Sequence, residues 1–256
     1  MRLFDTHAHL DDEAYNEDRE ALIAALPGLG VERCVTVGAD MASSERALLL
    51  ARKYPAQLRA AVGVHPSDAD SVNAENMDRL SAWLDDPLTA ARGEIGLDYH
   101  FDDRLPNDVQ MAALEAQHAL AMEKEKPVIF HVRDAWGDFM PWLRRTPTRG
   151  IMHCFAGSRE IAAECLDAGL YVAFGGSSTF KNAHKLREVA AYIPEDRLLL
   201  ETDCPYLSPE PFRGRRNDPS RTALVAAKLA EVRGTTAEAL AEACFGNACR
   251  LFGWEE

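Results

Sequence analysis

Residues 2–12 read RLFDTHAHLDD. A short apolar run comes first, and two histidines, His7 and His9, follow it two positions apart. Side chains along a strand alternate between faces, so residues i and i+2 point the same way and His7 and His9 can share one ion. The pair alone leaves two readings open, a metal site or two hydrogen-bonded histidines at a strand end. The rest of the chain can be searched for the missing partners.

The same arrangement, an apolar run that delivers polar residues at its C-terminal end, recurs through the sequence. After RLFDTH come RCVTVGA (33–39), LRAAVGVH (58–65), AARGEIGL (90–97), PVIFHV (127–132), GIMHCF (150–155), LYVAFGG (170–176) and RLLLETD (197–203). Each is short and nearly continuously apolar, as parallel strands buried on both faces are. Helical segments lie between them. In REALIAALPGLG, Leu22, Ile23 and Leu26 share a face, and Pro27 and Gly28 end the helix. QMAALEAQHALAMEKE is built from good helix formers. Ser158 N-caps SREIAAECLDAGL, with Gly169 as its C-terminal stop, and DPSRTALVAAKLAEVRG carries Pro219 near its first turn and Gly234 after its last.

Eight such strand–helix units in 256 residues give the count and length of a (β/α)8 TIM barrel, an α/β fold. A doubly wound open sheet is the rival, but no GxGxxG or GxxxxGK[ST] loop is present. No Pro/Ser-rich linker divides the chain, so residues 1–256 read as one barrel domain. Apolar residues make up 47% of the chain, which argues against disorder. The net charge of −13 argues against a broad basic surface for nucleic acid, while leaving room for a local site with bound cations. The sequence predicts a cytoplasmic protein, with neither a membrane span nor a signal peptide. The six cysteines form no CxxC pair and read as reduced core residues. Cys154 and Cys204, each following a polar strand-end residue, are expected to turn away towards the helices.

In parallel barrels the functional side chains sit at the C-terminal ends of the strands. His7 and His9 end the first strand, His65 the third, Glu94 the fourth, His131 the fifth, His153 the sixth and Asp203 the eighth. His100, His118 and His184 fall elsewhere and read as ordinary surface residues. Imidazoles with carboxylates and no thiolate suit divalent metals, and six ligands suit two ions about 4 Å apart. Glu94 would bridge, with His7, His9 and Asp203 on one ion and His131 and His153 on the other. Such ions acidify water for attack on an ester or phosphodiester, and Asp203 can also accept its proton. Glu94 and Asp203 are thus the expected catalytic residues. His65 reads either as a phosphate contact or as a partner of a ligand, and Asp5 either as a residue that orients a histidine or as a buried structural polar residue. Arg133 and the loop arginines Arg213 and Arg215 are candidate phosphate contacts, with solvated surface charge as the alternative. Gly175 and Gly176 either allow a substrate to approach or make a turn.

With these residues placed, the sequence resembles the TatD family of metal-dependent hydrolases and deoxyribonucleases, a branch of the amidohydrolase-like barrel group. The resemblance runs nearly end to end, through FDTHAHL, GVHP, GEIGLDY, PVIFHVRDA, HCFAGS, ETDCPYLSPEPFRGRRNDP and GNACRLFGW. It implies the (β/α)8 barrel, one or two divalent metals, and phosphodiester hydrolysis on DNA, with His7, His9, Glu94, His131, His153 and Asp203 as ligands. Many members of the wider group place a carbamylated lysine on the fourth strand; Glu94 there favours the TatD branch. His100 after GLDY is a minor departure from the aromatic or basic residue often found there.

The expectation is a deoxyribonuclease, a 3′–5′ exonuclease, using two divalent ions (Mg, Mn or Zn) on a DNA substrate, without membrane partners and with a monomer favoured. The alternative is an ester or amide hydrolase such as a D-aminoacyl-tRNA deacylase. A third reading, a non-catalytic binding protein that kept the barrel, is opposed by the intact ligand set.

Overall fold

The computed structural model describes residues 1–254. Eight parallel strands run in sequential order: β1 (Leu3–Ala8), β2 (Val31–Val37), β3 (Leu58–Val62), β4 (Thr89–Asp98), β5 (Val128–Arg133), β6 (Gly150–Met152), β7 (Tyr171–Phe174) and β8 (Leu198–Leu200). These are the eight runs read from the sequence. The intervening helices are α1 (Arg19–Ala25), α2 (Met41–Lys53), α3 (Ala74–Leu84), α4 (Asn107–Glu123), α5 (Trp136–Arg145), α6 (Arg159–Asp167), α7 (His184–Tyr192) and α8 (Thr222–Arg233), and α9 (Ala237–Phe252) follows. This is the (β/α)8 arrangement. No helix among the described residues is long and apolar enough to cross a membrane.

Local chemistry sets the helix ends. Asp40 caps α2 by accepting from the backbone N–H of Ser43, whose hydroxyl accepts in return from the Asp40 N–H, a reciprocal capping box. Ser158 caps α6. Gly234 ends α8 in the left-handed region, at φ 67°, where glycine avoids the Cβ clash.

The core has two layers. Outside the strands, Cys34, Leu58, Phe130, Val172 and Leu198 pack against Leu48, Leu114 and Leu229 of the helices. Inside the barrel, Phe4, Val35, Ala61, Ala91, Ile129, Ile151, Ala173 and Leu199 form a second apolar cluster, drawn from all eight strands. The floor of that interior comes from α9 and the residues after it. Phe4 meets the rings of Phe245, Phe252 and Trp254 with centroids 5.8, 5.8 and 5.5 Å away. Sequence periodicity did not single out α9.

Two strand irregularities place the polar residues above this floor. The β1–β2 register shifts between Asp5 and Ala8, and the β4–β5 register shifts between Arg92 and Ile95. Counting alternate residues from Phe4 or Ala91, both inward, would send His7 and Glu94 outward; each shift restores them to the barrel mouth. Past the second shift Gly96 lies against β5, where a Cβ would sit 1.8 Å from the His131 carbonyl oxygen. Only glycine allows that approach.

The seam between β8 and β1 closes mainly beyond the end of β8. The Asp203 N–H donates to the His7 carbonyl at 2.9 Å, and the His9 N–H donates to the Cys204 carbonyl at 2.8 Å. Lower down, the Thr6 hydroxyl donates to the Leu200 carbonyl at 3.0 Å.

Replacing Phe245 with Ala removes one of the three rings of the aromatic floor and should cost about 3–5 kcal/mol. Urea denaturation of the purified variant checks this; a midpoint unchanged from wild type would show that the floor carries no such load.

Candidate metal centre

The structure brings six of the sequence-predicted residues to one point at the barrel mouth. His7 Nε2 and His9 Nε2 lie 3.2 Å apart. Glu94 sits between two groups of imidazoles. Its Oε2 is 3.5 Å from His7 Nε2 and 3.9 Å from His9 Nε2, while its Oε1 is 2.7 Å from His131 Nδ1 and 3.4 Å from His153 Nε2. Asp203 Oδ1 is 3.4 Å from His9 Nε2 and 3.7 Å from His7 Nε2. The His7 and His153 rings stack with centroids 3.6 Å apart. The mouth above them holds a cavity of about 380 Å³.

The donor set fits divalent metal. Among the described residues no lysine or arginine pairs with Glu94 or Asp203, so two sheltered carboxylates have only imidazoles for company. Carboxylates removed from water need compensating positive charge. The ring nitrogens are also set for coordination: His9 Nδ1 donates to the Val37 carbonyl at 2.9 Å, which fixes the ring with Nε2 facing the cluster, where a metal would take the place of its proton. His7 Nδ1 is buried and has no hydrogen-bond partner among the described residues. Burial alone would raise the Asp203 carboxyl's pKa, but the hydrogen bond from His9 and the charges of His153, His7 and His9 hold it below its ordinary value. Burial lowers the His9 imidazole, yet the Asp203 hydrogen bond and the neighbouring carboxylates push it up to about 9.

Backbone conformation contributes. Asp203 and Cys154 both adopt left-handed φ, 56° and 44°. Side chains are rarely held so unless surrounding structure enforces it, at a cost of about 1–3 kcal/mol each. For Cys154 the twist ends strand alternation, since β6 stops at Met152. Its Sγ therefore lies with ligand atoms of His153 and Glu201 in one cluster within 4.8 Å, not towards the helices as alternation predicts. Cys204 does turn away, into the outer core.

The family model for TatD-related DNases matches residues 4–253. The chain belongs to the TatD-related DNase family. It is 45% identical over 253 residues to the uncharacterized metal-dependent hydrolase YabD of Bacillus subtilis, covering 98% of both chains. It is 36% identical to the 3′-5′ ssDNA/RNA exonuclease TatD of Pectobacterium carotovorum, covering 98% of this chain and 99% of that one. The crystal structure of the TatD homologue YjjV of Escherichia coli superposes with a TM-score of 0.92 at 32% identity, covering 99% of each chain.

Within this TatD-family site, the remaining predicted residues divide. His65 lines the cavity, and its ring stands edge-on to His131 with centroids 4.3 Å apart. The Ser67 backbone N–H donates to His65 Nδ1 at 3.1 Å, so the ring proton belongs on Nε2. Burial, reinforced by the charge on His131, lowers its pKa to about 4 and keeps it neutral. Arg213 and Arg215 line a neighbouring cavity. Arg133 is absent from both linings; its guanidinium lies over the Phe101 ring, 5.3 Å away. Asp5 is buried, but it grips backbone rather than a histidine ring: its carboxylate accepts from the N–H groups of His7 (3.2 Å) and Thr202 (2.9 Å) and from the Thr202 hydroxyl (2.5 Å). The register shift above Asp5 separates its face from that of His7. Of the histidines read as surface residues, His118 is buried between Phe130 and Trp142.

Two carboxylates that orient ligands escaped the sequence reading. Glu201 is fully buried, with Oε2 3.1 Å from His153 Nδ1 and Oε1 accepting from the Cys154 N–H at 2.6 Å. Asp98 Oδ2 lies 3.0 Å from His131 Nε2. Each stands an even number of positions from a recognised ligand, Glu201 two before Asp203 and Asp98 four after Glu94, so alternation was the signal that could have found them.

Glu201→Gln should weaken divalent-metal affinity about 10- to 100-fold, the usual effect of losing a carboxylate that orients a histidine ligand. Competition against a chelating dye measures it; wild-type affinity in a folded variant would remove Glu201 from the metal's support.

Proposed function

We propose that this chain is a 3′–5′ exonuclease for single-stranded DNA, using two divalent ions of the Mg, Mn or Zn kind. The observation that carries the reading is the placement of the two Glu94 oxygens, one towards His7 and His9 and the other towards His131 and His153. A carboxylate so placed suits a bridge. His7, His9 and Asp203 would hold one ion, and His131 and His153 the other, with Glu94 shared. Bound there, divalent ions supply Lewis acidity towards phosphoryl oxygens and lower the pKa of water. The exonuclease activity that names the Pectobacterium relative supports the choice of substrate.

The protein's own groups would then do the following. Asp203, whose side chain is 15% exposed against 5% for Glu94, receives a proton at its carboxylate from the attacking water. His65, neutral with its proton on Nε2, donates to a non-bridging phosphate oxygen. Asp98 and Glu201 fix the rotation of the His131 and His153 rings, and Arg213 and Arg215 meet phosphates of the strand.

Glu94→Ala and Asp203→Ala should each abolish cleavage while circular dichroism shows an intact barrel. The assay uses chelator-cleaned buffer with defined Mg or Mn and offers single-stranded DNA, duplex DNA, RNA and aminoacyl-tRNA in parallel. Near-wild-type turnover by either variant removes these residues from catalysis. Cleavage of aminoacyl-tRNA with all polynucleotides left intact replaces the nuclease reading with an ester hydrolase.

A further inference from the structure

The metal cavity does not stand alone. A second cavity of about 590 Å³ adjoins it, lined by Phe180, Leu207, Arg213, Arg215 and Arg216, and both cavities share Asp12 and Tyr206 as walls. The two have opposite electrical character. Asp11, Asp12, Glu13 and Asp40 rim the metal cavity, with one guanidinium, Arg46, which is held by Asp11 at 3.0 Å. In the adjoining groove Arg216 is engaged by Asp18, but Arg213 and Arg215 form no ion pair among the described residues. The Arg213 guanidinium lies over the Phe180 ring, 4.2 Å from its centroid. Two exposed, uncompensated guanidiniums side by side stand out in a chain of net charge −13.

The groove is held in place. Asn217 donates to the carbonyls of Thr202 (3.0 Å) and Tyr206 (2.7 Å), and the Tyr15 hydroxyl donates to the Asn217 carbonyl at 2.6 Å. Ser208 donates to the Arg215 carbonyl at 2.6 Å. Gly176 lets this loop settle on the turn after β7, since a Cβ there would lie 1.9 Å from the Leu207 carbonyl oxygen. Tyr206, at the boundary, is 55% exposed, and its hydroxyl donates to Asp12 at 2.9 Å, which fixes the ring as a platform.

We propose that this charge division makes the site one-way for a polynucleotide. The strand end sits in the acid-rimmed metal cavity. The strand then leaves across Tyr206, on which a base stacks, into the groove where its next phosphates meet Arg213 and Arg215. The carboxylate rim opposes a backbone continuing in the other direction, so a strand without an end is excluded. This rests on the nuclease reading above and adds the path of the strand and the reason that only ends are taken.

The test uses full-length protein in chelator, with anisotropy of 5′-fluorescein-labelled dT2, dT4 and dT8, so that binding is read without turnover. Wild type should bind dT8 at least tenfold more tightly than dT2, and Arg213→Ala/Arg215→Ala should erase that gain. The slope of log K against log salt for dT8 should fall in magnitude by about 1.4, the value for two lost single-strand phosphate contacts. Tyr206→Ala should weaken dT8 binding roughly 5- to 150-fold, whereas Tyr206→Phe, which keeps the ring but loses its tie to Asp12, should weaken it less than Tyr206→Ala does. Length-independent wild-type binding, or a double variant with the wild-type slope, overturns the proposed path. With metal restored, linear single-stranded DNA should be degraded and circular single-stranded DNA spared; equal rates on both overturn the one-way mouth. Length-dependent binding with no cleavage of any polynucleotide would refute the nuclease reading and leave the strand path supported.

Discussion

Closure of the barrel depends on two backbone hydrogen bonds, from the Asp203 N–H to the His7 carbonyl and from the His9 N–H to the Cys204 carbonyl. β8 is three residues long and ends below them. The residues that complete the cylinder are thus the residues that present ligands. Asp5 reinforces the same seam from beneath by holding the backbone of His7 and Thr202 together. An unpaired strand edge would leave buried N–H and C=O groups without partners, so the fold has strong reason to close here. In closing, it sets His7, His9 and Asp203 within a few ångströms of one another.

The polar groups gathered by that closure support each other in layers. Imidazole nitrogens facing the cluster are aimed by groups behind them: His9 by the Val37 carbonyl, His153 by Glu201, His131 by Asp98. Glu201 in turn is held by the Cys154 N–H, available because Cys154 adopts a left-handed φ. Strain in the backbone and order in the ligands are therefore linked. An arrangement with so little rotational freedom can present metal ligands in position at low entropic cost.

Most of this was legible in the sequence, because parallel strands buried on both faces read as apolar runs and their polar ends stand out. The eight runs, the barrel and the convergence of His7, His9, Glu94, His131, His153 and Asp203 all follow from that contrast. What strict alternation could not show was where alternation fails. The register shift in β1 separates the face of Asp5 from that of His7, the shift in β4 returns Glu94 to the mouth, and the twist at Cys154 turns its side chain inward; among these, the β4 shift carries a residue signal, Gly93 and Gly96 inside the strand. Glu201 and Asp98 were overlooked for another reason: carboxylates one layer back lack the histidine signature that drew notice to the ligands. His118 was misplaced because a single polar residue on an otherwise apolar helix looks the same whether it faces solvent or rests between Phe130 and Trp142.

The aromatic floor has a bearing on how the chain is made. Phe245, Phe252 and Trp254 reach the barrel interior from the far end of the described sequence, and they meet Phe4 at its beginning. A nascent chain emerges with all eight strands before it has anything to plug the cylinder's lower end. Until α9 leaves the ribosome, the apolar lining contributed by those strands stays open to water and to neighbouring chains. Sealing therefore waits on α9, and a chain held with α9 still inside the ribosome would present that apolar lining to chaperones.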